Sequence, residues 1–234
     1  RLSLWCARQD ALPHGWSIDR ADGNTRRARQ HSPGARQHSP GGGARAYLWT
    51  MDAPTYPLGQ TDFMITPIGL GCWQFSGGKG LVGGYWKPIA QDEVNRIVSA
   101  SLDGGINWFD TAEAYGMGRS EEALSTALEE AGRPEVMVAT KWFPMFRFAG
   151  SIHKTFPERE RHLSPYGVDL HQVHNPASFS RVAREMEEMA VLADAGSIQA
   201  IGVSNFSADR MRRAHDELAR RGLSFASNQV RYSL

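Results

Sequence analysis

Only two of the 234 residues are cysteine, Cys6 and Cys72, which excludes a disulfide scaffold and suits a reducing compartment. No apolar run approaches the ~20 residues that a membrane-crossing helix requires. A cytoplasmic protein with no membrane partner is therefore expected. Net charge is missing as well: 26 Lys and Arg stand against 25 Asp and Glu, so no uniform basic field is offered to nucleic acid. Two nucleotide-binding fingerprints are also absent. Gly69-Leu-Gly71-Cys-Trp-Gln74 fails the G-x-G-x-x-G spacing, and Gly77-Gly-Lys-Gly80 lacks both that pattern and a Ser or Thr after its lysine.

The near-zero charge is an average of two unlike parts. Residues 1–50 hold eight Arg and three Asp but no Lys and no Glu, a net of +5, whereas residues 51–234 sum to −4. The first part has neither a helical nor an alternating apolar period. It carries a direct repeat, Ala28-Arg-Gln-His-Ser-Pro-Gly34 followed by Ala35-Arg-Gln-His-Ser-Pro-Gly41, too polar and too rich in Pro and Gly to offset ordering entropy. His31 and His38 lack the compact spacing of metal ligands, so no metal site is expected. Asp10, Asp19 and Asp22 argue against a transit peptide. Residues 1–50 read as a disordered or artefactual basic extension, and the folded domain is expected over 51–234, starting near Met51.

From Thr55 onward, short apolar runs alternate with amphipathic stretches. Tyr56-Pro-Leu-Gly59 and Phe63-Met-Ile65 predict a small hairpin. Strands are predicted at 68–73, 106–110, 136–141, 168–174, 198–205 and 224–230. Helices are predicted at 91–102, 119–131, 180–195 and 208–221, with a less regular connection at 157–163. Ser120 ahead of Glu121 and Glu122 predicts an N-cap and acidic first turn, and Gly196 and Gly222 predict left-handed C-caps. Strands alternating with helices imply a parallel sheet, either doubly wound or closed into a barrel. The polar strand ends favour the barrel. Asp110, Lys141, His174, Ser204 with Asn205, and Asn228 with Gln229 finish or nearly finish five successive strands, and a barrel gathers such ends on one face.

These stretches resemble the aldo-keto reductases. The likeness rests on Pro67-Ile-Gly-Leu-Gly-Cys-Trp73, Gly105-Ile-Asn-Trp-Phe-Asp-Thr-Ala-Glu-Ala-Tyr-Gly116 with Ser120-Glu-Glu122, Ala139-Thr-Lys141, Asp169-Leu-His-Gln-Val-His174, Ile201-Gly-Val-Ser-Asn-Phe206 and Asn228-Gln-Val230, in that family's order and spacing. The resemblance implies a (β/α)8 TIM barrel that reduces an aldehyde or ketone, a small-molecule carbonyl, by hydride transfer from NADPH. It implies a catalytic set of Tyr115 as acid, Lys141 as the cation that tunes it, Asp110 as the anchor of that cation, and His174 as orienter of the carbonyl. Ser204, Asn205 and Gln229 would hold the nicotinamide carboxamide, Tyr232 would stack on the ring, and Cys72 and Trp73 would line its reactive end. The chemistry is consistent with this assignment, because a phenol of ordinary pKa ~10 needs a neighbouring cation to exchange its proton near neutrality. His171, by strand alternation, should face away from His174.

Residues 51–234 supply about six of the eight units a barrel requires, so a C-terminally truncated barrel is expected. Its first and sixth strands should then have open edges. The resemblance places the grip on the cofactor's pyrophosphate and 2′-phosphate around strands 7 and 8, so weak NADPH binding is expected. A non-catalytic cofactor-sensing subunit on the same scaffold, or an inactive fragment, is the alternative. Trp142, Phe143, Phe146, Phe148 and Phe156 predict an aromatic-lined entrance.

Overall fold

Alternation within each strand decides the architecture. A computed structural model describes residues 4–6, 54–78, 80–132 and 134–231. The chain runs β1 (Leu4–Cys6), β2 (Tyr56–Pro57), β3 (Met64–Ile65), β4 (Ile68–Gly71), a 3-10 turn (Trp73–Ser76), α1 (Gly80–Gly83), α2 (Gln91–Asp103), β5 (Trp108–Asp110), α3 (Arg119–Glu130), β6 (Met137–Trp142), α4 (Ser151–Leu163), β7 (Leu170–Val173), α5 (Val182–Asp194), β8 (Ala200–Ser204), α6 (Ala208–Ala219) and β9 (Phe225–Gln229). Strands β4 to β9 are parallel, and each pairs with the next in sequence. A doubly wound sheet would reverse its order partway; a monotonic order with crossovers of one hand puts every helix on one face. The result is the curled sheet of a (β/α) barrel, opened along one side.

The two faces carry different residues. Phe109, Val138, Trp142, Val173, Ile201 and Val203 point to the helices and join Val98, Leu124, Leu128, Ile152, Met186 and Leu218 in the main core. The opposite set, Trp108, Met137, Ala139, Leu170 and Ala200, forms a second cluster with Leu58 and Ile65. Leu58 and Ile65 come from the β2–β3 hairpin, which therefore plugs the N-terminal end of the interior. Above this apolar floor the inward positions turn polar, so the site sits over a packed base rather than over a pore.

Trp108 shows how tightly the floor is built. Its Nε1 donates to Thr66 O at 2.9 Å, and its ring covers Gly69, where an added Cβ would stand 2.2 Å from Cε2. Gly69→Ala must displace a buried ring, and overpacking of this kind costs about 1–3 kcal/mol. A fall in the thermal midpoint with retained far-UV dichroism is the expected result.

Four expectations are revised. The 157–163 connection is part of α4, a 13-residue helix with Pro157 inside it; burial of Ile152, Phe156 and Leu163 on one face offsets the lost backbone bond. Ser120 is not an N-cap. The helix starts at Arg119 after Gly118, and Ser120 Oγ is buried, accepting from Thr111 at 2.8 Å and donating to Cys72 O at 2.6 Å. Within 1–50, Leu4–Cys6 forms a strand, and it pairs antiparallel with β4, so that edge is covered. Trp142 and Phe156 belong to the helix–sheet core rather than to an entrance. On the other side β9 pairs with β8 alone among the described residues, and its five positions are half-buried where β8 is fully buried. Gly196 and Gly222 take the left-handed φ values, 70° and 71°, expected after α5 and α6.

Candidate active site

The parallel register brings the polar strand ends together. Asp110 pairs with Ala139, so Lys141, two residues on, faces the same interior. Lys141 Nζ donates to both Asp110 carboxylate oxygens and to Thr111 O, each at 2.7 Å. The pair is deeply buried, with Lys141 1% and Asp110 2% exposed. Gln229 Nε2 donates to Asp110 Oδ2 at 3.0 Å from the far strand, and Gln172 Nε2 reaches Oδ1 at 3.4 Å. A buried ion pair persists only when its remaining lone pairs are satisfied in this way.

Tyr115 lies above this pair on the loop after β5. Lys141 Nζ stands 5.3 Å from the centre of its ring. Trp73 stacks on the ring at 5.9 Å, and His174 meets it edge-on at 5.5 Å. Trp73 is fixed in turn by its Nε1–Val82 O bond of 3.0 Å and by Tyr85 and Trp86. The four residues of the expected catalytic set are thus neighbours, on two strand ends and two loops.

Burial, and secondly the Asp110 carboxylate, push the Tyr115 phenol well above its ordinary value. The net direction is upward even with the Lys141 ammonium 5.3 Å from the ring centre. The ammonium is held by three oxygens, two of Asp110 and one of Thr111, and stands over the ring. His174 is pushed down to about 3, first by burial and then by the Lys141 charge, which keeps its imidazole neutral at physiological pH. Its Nδ1 is buried without a partner among the described residues.

The other carry-overs fare differently. Ser204 Oγ donates to Gln229 O at 2.9 Å and accepts from Asn205 Nδ2 at 3.0 Å. Asn205 is exposed at a φ of 59°, and its Nδ2 also reaches His174 O at 3.4 Å. These amides and the hydroxyl therefore border His174 and Asp110, a donor and acceptor set that fits a carboxamide. Cys72 does not line the site. It is wholly buried, its Sγ 3.6 Å from Leu70 O, because the strand's alternation turns it into the helix–sheet core. Tyr232 lies outside the described residues. Asn228 faces the helices, bonding Phe206 through both side-chain atoms. His171 packs on Phe156 of α4, away from His174 as alternation requires. Gln172 was missed; its signal was the same alternation, which puts 170, 172 and 174 on one face. Among the described residues no His, Cys, Asp and Glu cluster suits a metal, and no helix is long and apolar enough to cross a membrane.

The buried imidazoles carry a pH dependence. His171, like His174, is lowered to about 3, by burial and then by Arg159. Between about 6.5 and 3 the unfolded chain therefore binds more protons than the folded one, so stability is full above 6.5 and falls as pH is lowered through that window. The urea midpoint should drop steadily from pH 6.5 to pH 4, and His171→Phe should flatten part of that slope. An unchanged slope would return the effect to the carboxylates.

An uncharacterized oxidoreductase of Mycobacterium tuberculosis (strain ATCC 25618 / H37Rv) is 38% identical over 170 residues, covering 73% of this chain and 50% of that protein. The NADH-specific methylglyoxal reductase of Escherichia coli (strain K12) is 29% identical over 177 residues, covering 67% of this chain and 53% of that one. The glycerol dehydrogenase structure from Gluconobacter oxydans superposes with a TM-score of 0.63 at 30% identity, covering 77% of this chain and 55% of that one. The chain thus spans about half the length of the curated relatives it matches. The model of the aldo/keto reductase family matches residues 67–234, and the chain belongs to that family.

Proposed function

We propose that this chain carries the carbonyl-activating half of an NADPH-dependent reductase of aldehydes or ketones. The observation that carries the reading is the buried Asp110–Lys141 pair beneath Tyr115, with His174 at the ring's edge. Ser204, Asn205 and Gln229 would hold the carboxamide of the nicotinamide ring. When bound, that ring supplies the hydride.

The remaining steps belong to the protein. A carbonyl oxygen gaining negative charge needs a proton donor within hydrogen-bond reach. Tyr115, raised well above its ordinary value, is fully protonated at neutral pH and so is always loaded as the acid. The phenolate left after transfer lies near the Lys141 ammonium, which stabilises charge that exists only late in the reaction. Neutral His174 can donate one hydrogen bond to the carbonyl without competing for the proton. Trp73, stacked on Tyr115, closes one wall against water.

The test is loss of nicotinamide absorbance when the full chain meets an aromatic aldehyde. NADPH and NADH are run in parallel, since one relative's name specifies NADH. With nucleotide raised far enough to offset weak cofactor binding, aldehyde-dependent oxidation, faster with NADPH, is expected. Oxidation with neither nucleotide would overturn the reading.

A further inference from the structure

Beside the Tyr115 loop lies a buried charged group that the proposed reaction leaves unused. Glu113 and Glu121 are both buried, and Arg159 of α4, 1% exposed, stands between them. Arg159 Nε is 2.8 Å from Glu121 Oε2 and its Nη1 3.3 Å from Glu113 Oε1, as charge contacts off the hydrogen-bond axis. Its Nη2 lies 3.2 Å from His162 Nδ1, itself 3.2 Å from Glu121 Oε2. Glu121 Oε1 accepts from Thr140 at 2.5 Å. Glu113 Oε2 accepts the Phe143 N–H at 2.8 Å, and Oε1 accepts from Arg147 at 2.6 Å.

The positions of these groups along the chain connect the hub to the site. Glu113 precedes Tyr115 by two residues, Thr140 immediately precedes Lys141, and Phe143 follows Lys141 by two. The far end of the Tyr115 loop rests on the same hub, since a Cβ on Gly118 would come 2.2 Å from His162 Cε1. Two buried carboxylates with no cation between them would repel and lack solvation. The guanidinium reaches both at once through separate nitrogens, which a single ammonium does not match.

Resting on the reading of Tyr115 as the proton donor, we propose that Arg159 is a positioning residue for it. Arg159 binds Glu113 and Glu121 into one hub and thereby fixes the loop carrying Tyr115 against the strand end carrying Lys141. Arg159 touches neither Tyr115 nor Lys141 among its described contacts, so its effect passes through Glu113 and Glu121. A displacement of the donor by about 1 Å costs on the order of 100-fold in rate.

The test has two readouts on the full chain. In hydrogen exchange followed by mass spectrometry, Arg159→Met should raise exchange over residues 111–118 and 142–147 at least about tenfold while leaving α5 and α6 unchanged. In carbonyl reduction, the same variant should lower kcat by about 10- to 100-fold with an unchanged KM for the nucleotide, and Arg159→Lys should restore part of it. Against a Tyr115→Phe background, Arg159→Met should add nothing, because the group it positions is gone. Equal effects in both backgrounds, or unchanged exchange of the two segments, would overturn the proposal. Should Arg159→Met not fold, Glu113→Gln takes its place with the same outcomes, keeping the Phe143 bond and losing the charge. If Tyr115→Phe itself retains full activity, the reading of Tyr115 fails, and the exchange result still decides whether Arg159 holds the loop.

Discussion

Lys141→Met should destabilise the protein by about 3–5 kcal/mol and abolish carbonyl reduction. The stability loss comes mainly from what is left behind rather than from the contact removed. Asp110 is 2% exposed and would keep only Gln172 and Gln229 as side-chain partners, and an uncompensated buried charge carries a penalty of that order. Thr111 O would also lose its donor. The companion variant separates the two effects. Asp110→Asn combined with Lys141→Met removes both charges, so most of the urea midpoint should return while activity stays absent. If the double variant is as unstable as the single, packing rather than charge sets the loss.

The sheet was legible because its two periods are clean. Inward and outward residues alternate along β6 from Met137 to Trp142 and along β8 from Ala200 to Ser204, and helical stretches fill the intervals. The elements that escaped were those in which one residue type carries two meanings. Pro157 reads locally as a helix breaker, yet α4 continues through it because Ile152, Phe156 and Leu163 share a buried face. Ser120 reads as a cap, but its hydroxyl bridges Thr111 and Cys72. The strand Leu4–Cys6 has no periodic context around it and depends on an edge that is distant in sequence.

The site was legible at the strand ends and obscure one step inward. Asp110, Lys141 and His174 announce themselves as polar residues where a buried strand stops. Gln172 sits mid-strand and is exposed as a site neighbour only by the pleat. The resemblance places Cys72 at the site, while its orientation buries it. Arg159 lies on a helix that faces the back of the sheet, and no spacing along the chain links it to Glu113 and Glu121; that link exists only in three dimensions. The sign of the Tyr115 shift was likewise out of reach, since it depends on how far burial and Asp110 outweigh Lys141.

Tyr115→Phe is the substitution that isolates the chemistry. The phenyl ring keeps its stack on Trp73 and its edge contact with His174, and no described hydrogen bond depends on the hydroxyl, so the fold and the thermal midpoint should be retained. What is lost is the proton donor, and a positioned acid contributes about 10²- to 10⁴-fold to such a step. The loss should appear in kcat more than in KM, because the proton is needed in the transition state rather than in binding. The decisive measurement is therefore kcat/KM for NADPH-dependent aldehyde reduction by Tyr115→Phe beside the unaltered chain. A fall of at least about 100-fold at an unchanged thermal midpoint is expected; an unchanged kcat/KM would contradict the assignment of Tyr115 as the acid.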